Sequence, residues 1–247
     1  FMTSELKSEK KTQLFIVLGF FFLTNAIIAE FVGAKIFSLE KSLGLSPFQF
    51  PLFGGKLDGN MTAGVVIWPL VFILTDVINE YFGKKGVQRL SWIAVFCLIY
   101  SFLVVRLIMG LKGADFWIKS GNNQGLSDMS VAFNALFGQG LMIILGSLVA
   151  FLVGQITDAY VFERIKLKTG GNSIWLRATG STVVSQFIDS YVVLIIAFYL
   201  GGNYDLMWVL QVGTFNYLYK IIVAVILLPV LYFIHNAIDR YLGLKKH

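Results

Sequence analysis

The stretch IWLRATGSTVVSQFIDSYVVLIIAFYL, residues 174–200, decides the fold of this chain. It is mostly apolar and longer than the roughly 20 residues needed to cross a hydrocarbon core. It nevertheless keeps Asp189 near its middle. A charge at bilayer depth costs about 2.5–3.5 kcal/mol even on the lenient insertion scale, so Asp189 must face a protein interior or a wet cavity. The same stretch stacks Arg177, Ser181 and Ser185 at intervals of four, and Gln186 and Asp189 share one helical face.

Working outward, five more apolar stretches have the same character. The predicted spans are Leu14–Phe37, Met61–Phe82, Leu90–Gly110, Val131–Val161, Ile174–Leu200 and Met207–His235. Hydrophobic residues make up 57% of the chain and charged residues 14%. Soluble domains average about 45–50% and roughly 25%. The expectation is an all-α integral membrane protein, with residues 1–247 forming a single six-helix domain. Short connections leave no room for a separate soluble domain.

Charge placement sets the expected orientation. Lys7, Lys10, Lys11, Lys84, Lys85, Arg89, Arg164, Lys166, Lys168, Arg177, Arg240, Lys245 and Lys246 fall on one side; Lys41, Lys56, Lys112 and Lys119 fall on the other. The positive-inside rule then puts both termini in the cytoplasm. Lys35 and Arg106 are expected to snorkel to the outer surface. The net charge of +6 is thus explained by topology, and no nucleic-acid partner is expected. The expected location is a prokaryotic cytoplasmic (inner) membrane, crossed several times, with lipid as a partner and a homodimer left open.

Cys97 is the single cysteine and cannot make an internal disulfide. His235 and His247 do not form a metal cluster, so no metal or other cofactor is expected. The connection Ser38–Asn60 carries Pro47, Pro51, Gly54 and Gly55, which break any long helix. Phe48, Phe50, Leu52 and Phe53 keep it apolar, so it is read as an interfacial segment or a lid. In span four Gly146, Ala150 and Gly154 recur at intervals of four, a stripe that lets another helix approach closely.

The remaining polar residues inside spans are the functional candidates. Asp76, Asn79 and Glu80 share a face of span two; Gln155 and Asp158 repeat the Gln-x-x-Asp spacing of Gln186 and Asp189. Span one contributes Asn25, Glu30 and Lys35, and span six contributes Gln211, Asn216 and Lys220. Asp189 and Lys220 are both near mid-span and are expected to pair. That pair has two readings, a structural salt bridge or a substrate contact, and one does not exclude the other. Asp76, Glu80 and Asp158 lie nearer the cytoplasmic ends, where a structural or interfacial role competes with a functional one. The chain lacks His-Glu-x-x-His, the phosphate-binding Gly-x-x-x-x-Gly-Lys-Ser/Thr and Gly-x-Ser-x-Gly. No catalytic residue is expected.

Several of these residues fall in segments that resemble the queuosine precursor transporters, also called the vitamin uptake transporter family. The resemblance rests on Asn25 and Lys35, then on Pro69-Leu-Val-Phe-Ile-Leu-Thr75-Asp76-Val-Ile-Asn79-Glu80-Tyr-Phe-Gly83. It is strongest in Trp175-Leu-Arg177, Ser181-Thr182 and Ser185-Gln186-Phe-Ile-Asp189-Ser190. It spans nearly the full length, with Ser190 standing where such proteins more often carry Thr. It implies uptake of 7-deazaguanine bases such as 7-cyano- or 7-aminomethyl-7-deazaguanine. It also implies similarity to the six-helix substrate-binding subunits of energy-coupling-factor vitamin transporters.

The residue chemistry is compatible with that ligand. A guanine-like edge offers two donors and a carbonyl; a carboxylate accepts the donors, and an amide or ammonium donates to the carbonyl. The expected substrate-binding set is Asn25, Trp68, Phe72, Asp76, Gln186, Asp189, Asn216 and Lys220, with Phe215 and Tyr219 as further stacking candidates. Glu30, Glu80, Asp158 and Arg177 are candidates for coupling or gating. Two alternatives stay open at this point. One is a vitamin-binding subunit that needs a separate ATP-driven module. The other is an intramembrane enzyme using Asp76, Asp158 or Asp189.

Overall fold

The computed structural model describes residues 4–33, 35–46, 50–52, 55–57, 59–138, 140–169, 174–201 and 204–244. Helix α1 runs over Ser4–Val32. It ends short of the predicted Phe37, because Ile36–Ser38 forms strand β1. A single turn, α2 (Leu39–Ser42), follows. Strands β2 (Phe50–Leu52) and β3 (Gly55–Leu57) pair with each other, and β4 (Asn60–Thr62) returns antiparallel to β1 with Phe37 opposite Met61. The connection that sequence marked as non-helical is therefore partly a β-ribbon. Buried Glu40 pins it, accepting from Gly59 N at 2.6 Å and Ser38 Oγ at 2.8 Å. Pro47, Phe48, Phe53 and Gly54 lie outside the described residues.

Helix α3 covers Trp68–Met109. The predicted second span thus begins late, since Met61 is in β4 and Ala63–Val66 is a 3-10 turn. A straight helix of this length would extend about 63 Å, twice a bilayer core. It does not, because Gly83 adopts φ 68° and ψ 177°, a conformation L side chains resist. An added Cβ on Gly86 would sit 3.7 Å from Ile78 Cγ2. Eight residues of straight helix would separate those levels by about 12 Å, so the chain doubles back. The two arms, 68–82 and 84–109, correspond to predicted spans two and three. Among the described residues, five segments are long and apolar enough to cross a membrane, and the 42-residue one is this folded pair.

After the short α4 (Asp115–Ile118), α5 (Met129–Phe137) is capped by Asp128, whose Oδ1 accepts from Ser130 N at 2.7 Å. Helix α6 then runs over Leu141–Thr169. Predicted span four ran these together; the helix breaks at the glycine-containing segment after Phe137. Helix α7 (Ile174–Leu194) continues into a π-helical segment, Ile195–Tyr199. Helix α8 is Leu206–Ile226, capped by Asp205. Predicted span six extended to His235, but Pro229 at the start of α9 (Leu228–Leu242) makes a new helix after Leu227. Helix α9 is amphipathic: Leu231, His235, Ile238 and Leu242 are buried, while Phe233 is exposed.

The small-residue stripe behaves as read. A Cβ on Gly146 would meet Val193 O at 3.1 Å, and one on Gly154 would meet Asp189 Cβ at 3.4 Å. It is this close approach that seats α6 on α7. The core joins Phe22 of α1, Val77 and Leu90 of the two α3 arms, Phe151 and Phe162 of α6, and Leu231 of α9. On the other side of the second arm Phe96, Tyr100, Leu103 and Leu107 are exposed in one helical row. Such a surface is costly in water and suits lipid.

Candidate functional site

Helix α7 supplies the spine of the site. It buries Ser181, Thr182, Ser185, Gln186, Asp189 and Ser190, an unusual polar load for a membrane-length helix. Helix α8 lies alongside, with Gly213 giving room for the Tyr191 ring; a Cβ there would lie 2.8 Å from it. Tyr191 and Thr214 share a 2.7 Å hydrogen bond across the two helices. One helical turn and a half below, Lys220 Nζ reaches Asp189 Oδ2 at 2.5 Å. The pair expected from sequence is therefore formed, and both residues are buried.

Two spaces meet at this pair. Toward the β1–β4 ribbon is a chamber of about 260 Å³. Its walls include Glu30, Trp68, Asp189, Ser190, Asn216 and Lys220. Toward Gly83 is a crevice of about 20 Å³, lined by Phe72, Asp76, Thr182, Gln186 and again Lys220. The chamber is close in size to the small end of ligand sites, about 300–1,000 Å³. Its polar groups are of both kinds: carboxylates accept, the ammonium donates, and hydroxyl and amide groups do both. Ser190 Oγ and Asn216 Oδ1 are buried without a hydrogen-bond partner among the described residues. Such groups are costly unless a ligand or water completes them. Trp68 offers an aromatic face; its ring centroid lies 5.5 Å from that of Phe151 and 6.4 Å from that of Phe72.

Most of the sequence-selected binding residues thus converge, but on two sides of one partition. Trp68, Asp189 and Asn216 face the chamber; Phe72, Asp76 and Gln186 face the crevice. Asn25 lines neither space. It is half-buried and donates to Phe21 O at 2.8 Å, one turn back on its own helix. The coupling candidates separate as well. Glu30 is in the chamber wall. Asp158 is fully buried and accepts from Ser185 Oγ at 2.9 Å, and its neighbour Gln155 accepts from Thr75 Oγ1 at 2.7 Å.

Glu80 and Arg177 belong to a cluster at the Gly83 end. Glu80 Oε2 meets Arg177 Nη2 at 2.9 Å and Lys166 Nζ at 3.0 Å. Arg177, one of the charges assigned to the cytoplasmic side, is 1% exposed, drawn inside by this pair. Beside it Tyr81 donates to Asp239 Oδ1 at 2.7 Å and lies 3.1 Å from His235 Nδ1. These contacts tie α3, α6, α7 and α9 together below the crevice. Tyr81, Asp239 and Ser190 were not singled out by spacing alone, because lone polar residues near helix ends carry no periodic signal.

A helix bundle with a lipid-type exterior and a polar chamber inside defines a multi-pass membrane protein with room for a small molecule. Residues 62–234 match the family described as "Putative vitamin uptake transporter", and the chain belongs to that family. It is 32% identical over 173 residues to the "Probable queuosine precursor transporter" of Bacillus subtilis (strain 168), covering 69% of this chain and 70% of that protein. The similarly named Haemophilus influenzae protein is 28% identical over 67% of this chain and 64% of its own length. The "Queuosine precursor transporter" of Escherichia coli (strain K12) is 24% identical, covering 69% and 70%. No solved structure matches the chain.

Proposed function

We propose that this protein carries queuosine precursor bases, 7-cyano- or 7-aminomethyl-7-deazaguanine, across a prokaryotic cytoplasmic membrane. The observation that carries the reading is the position of the chamber. Apart from Ala29, Glu30, Gly33 and Ile36, its whole wall falls within the segment shared with the family. Two relatives are described as probable queuosine precursor transporters and a third as a queuosine precursor transporter, and the wall chemistry suits a flat base. Asp189 accepts from the ring N–H and exocyclic amine. Lys220 and Asn216 donate to the carbonyl, and Trp68 stacks on the ring, a contact worth about 1–3 kcal/mol in other base-binding proteins.

We read α1, the two α3 arms, α6, α7 and α8 as six crossings, with the ribbon outside and the Gly83 turn inside. In a Cys97→Ala background, cysteines at Lys85 and Lys168 should be labelled by an impermeant thiol reagent only from the cytoplasmic side. One at Asn123 should be labelled only from outside. The reverse pattern would overturn the orientation.

The family's vitamin description favours a second reading, a binding subunit that works with a separate ATP-driven module. Uptake of labelled 7-cyano-7-deazaguanine by cells that lack any such module separates the two. Saturable uptake dependent on this chain alone supports a self-sufficient carrier. Binding without uptake supports the subunit, and chemical change of the base during incubation would indicate an enzyme.

A further inference from the structure

The crevice beneath the ion pair holds buried polar atoms that no group among the described residues satisfies. Gln186 is 1% exposed, yet neither its Nε2 nor its Oε1 has a hydrogen-bond partner among the described residues. Asp76 Oδ1 is likewise buried and unpartnered among them. Leaving such groups dry and unpaired is costly, and native interiors rarely do so without a reason. Both line the same crevice, with Phe72 as an aromatic wall. The crevice now holds about 20 Å³, close to one water's worth of space and too little for a base. Among the described residues, Lys220 alone lines both this crevice and the larger chamber.

We infer that the crevice is a second station for the same flat, hydrogen-bonding base, closed in this state, and that Lys220 is the group shared between the two stations. The inference rests on the transport reading above. The base is held first between Trp68 and the Asp189–Lys220 pair. For it to pass, the pair must part, and Lys220 then finds a carboxylate partner on the other side in Asp76. Gln186 completes the second station, offering a donor and an acceptor to the base edge while α7 and α8 separate around it. A lysine with an acid on each side can keep its ammonium paired through the transit, while Asp189 is left facing the open chamber. A ligand moves such an equilibrium only by binding the two states differently, and Gln186 supplies contacts that the resting state does not use.

The test separates binding from passage. Purified protein in lipid nanodiscs gives the Kd for 7-cyano-7-deazaguanine, and the same protein in proteoliposomes gives its rate of uptake. Gln186→Ala should bind within about twofold of wild type, since its site is closed at rest, but should take up the base at least about tenfold more slowly, roughly the effect of one lost hydrogen bond in the passing state. Retained binding also shows that the variant is folded. Asn216→Ala, in the chamber, should instead weaken binding itself. If Gln186→Ala weakens binding as much as Asn216→Ala does, there is one site and not two. If it changes neither binding nor uptake, the crevice is not on the path. Should wild type neither bind nor move the base, the transport reading falls and the second station falls with it.

Discussion

Two clusters of charge lie inside this bundle, and they are built differently. At the Gly83 end, Glu80 is held by both Arg177 and Lys166, and Tyr81, Asp239 and His235 close around them. Half-way along, Asp189 has one cationic partner, Lys220, and cavities on both sides of it. The first arrangement has redundancy, and its members line neither the chamber nor the crevice. The second has none, and it divides a binding space. A bundle that needed charge only for cohesion would favour the first pattern throughout. The sparse pair is where a ligand can compete, because each partner still has hydrogen-bonding capacity to spare.

The largest stability loss should follow from breaking the sparse pair. Asp189→Asn leaves an ammonium buried without a counter-charge, a change that typically costs about 3–5 kcal/mol. Adding Lys220→Met should recover part of that loss in thermal unfolding, and simple additivity of the two would mean that they do not pair. The dense cluster should be more forgiving. Arg177→Met removes the charged hydrogen bond to Glu80 and the guanidinium over the Phe162 ring, but Lys166 still holds Glu80, so the loss should be smaller than that of Asp189→Asn. A loss as large as that of Asp189→Asn would erase the distinction between the clusters.

Gly83→Ala forces a side chain into a positive-φ, extended-ψ backbone that is essentially glycine-only and should cost roughly 1–3 kcal/mol. The same change should lower the yield of correctly inserted protein, since this turn reverses the chain between two arms. The smallest effect should come from Lys166→Met. Its side chain is 35% exposed, and exposed ion pairs contribute about 0–1 kcal/mol. If unfolding shows Lys166→Met to be worse than Arg177→Met, the exposed partner carries the cluster and the burial argument is wrong.

Much of this was legible in the sequence, for a reason visible in particular residues. Asp189 and Lys220 stand out because charges are rare at membrane depth, and the cost that makes them rare also makes them pair. The Gly146-Ala150-Gly154 stripe was readable because a close approach needs small residues at one spacing. The helix breaks were less legible. Pro229 sits in an apolar run that reads as one long span; the break at Gly83 is the exception, since Lys84, Lys85 and Arg89 follow it and separate predicted spans two and three. The β1–β4 ribbon was missed because Ile36 and Phe37, beyond Lys35, read as the apolar end of the first span. The opposed facing of Gln186 and Asp189 was also hidden. A spacing of three places them on one side of α7, but neighbouring helices decide which cavity each one lines.

The most direct test of the binding role of Asp189 is a comparison of two affinities. Purified protein in nanodiscs is titrated with 7-cyano-7-deazaguanine and with an analogue lacking the exocyclic amine. The wild type should favour the first by about 1–3 kcal/mol, because the analogue leaves a buried carboxylate unsatisfied. Asp189→Ala, carried with Lys220→Met so that no ammonium is left alone, should lose that preference. Equal affinities in wild type, or a preference unchanged in the double variant, would show that Asp189 does not read the base.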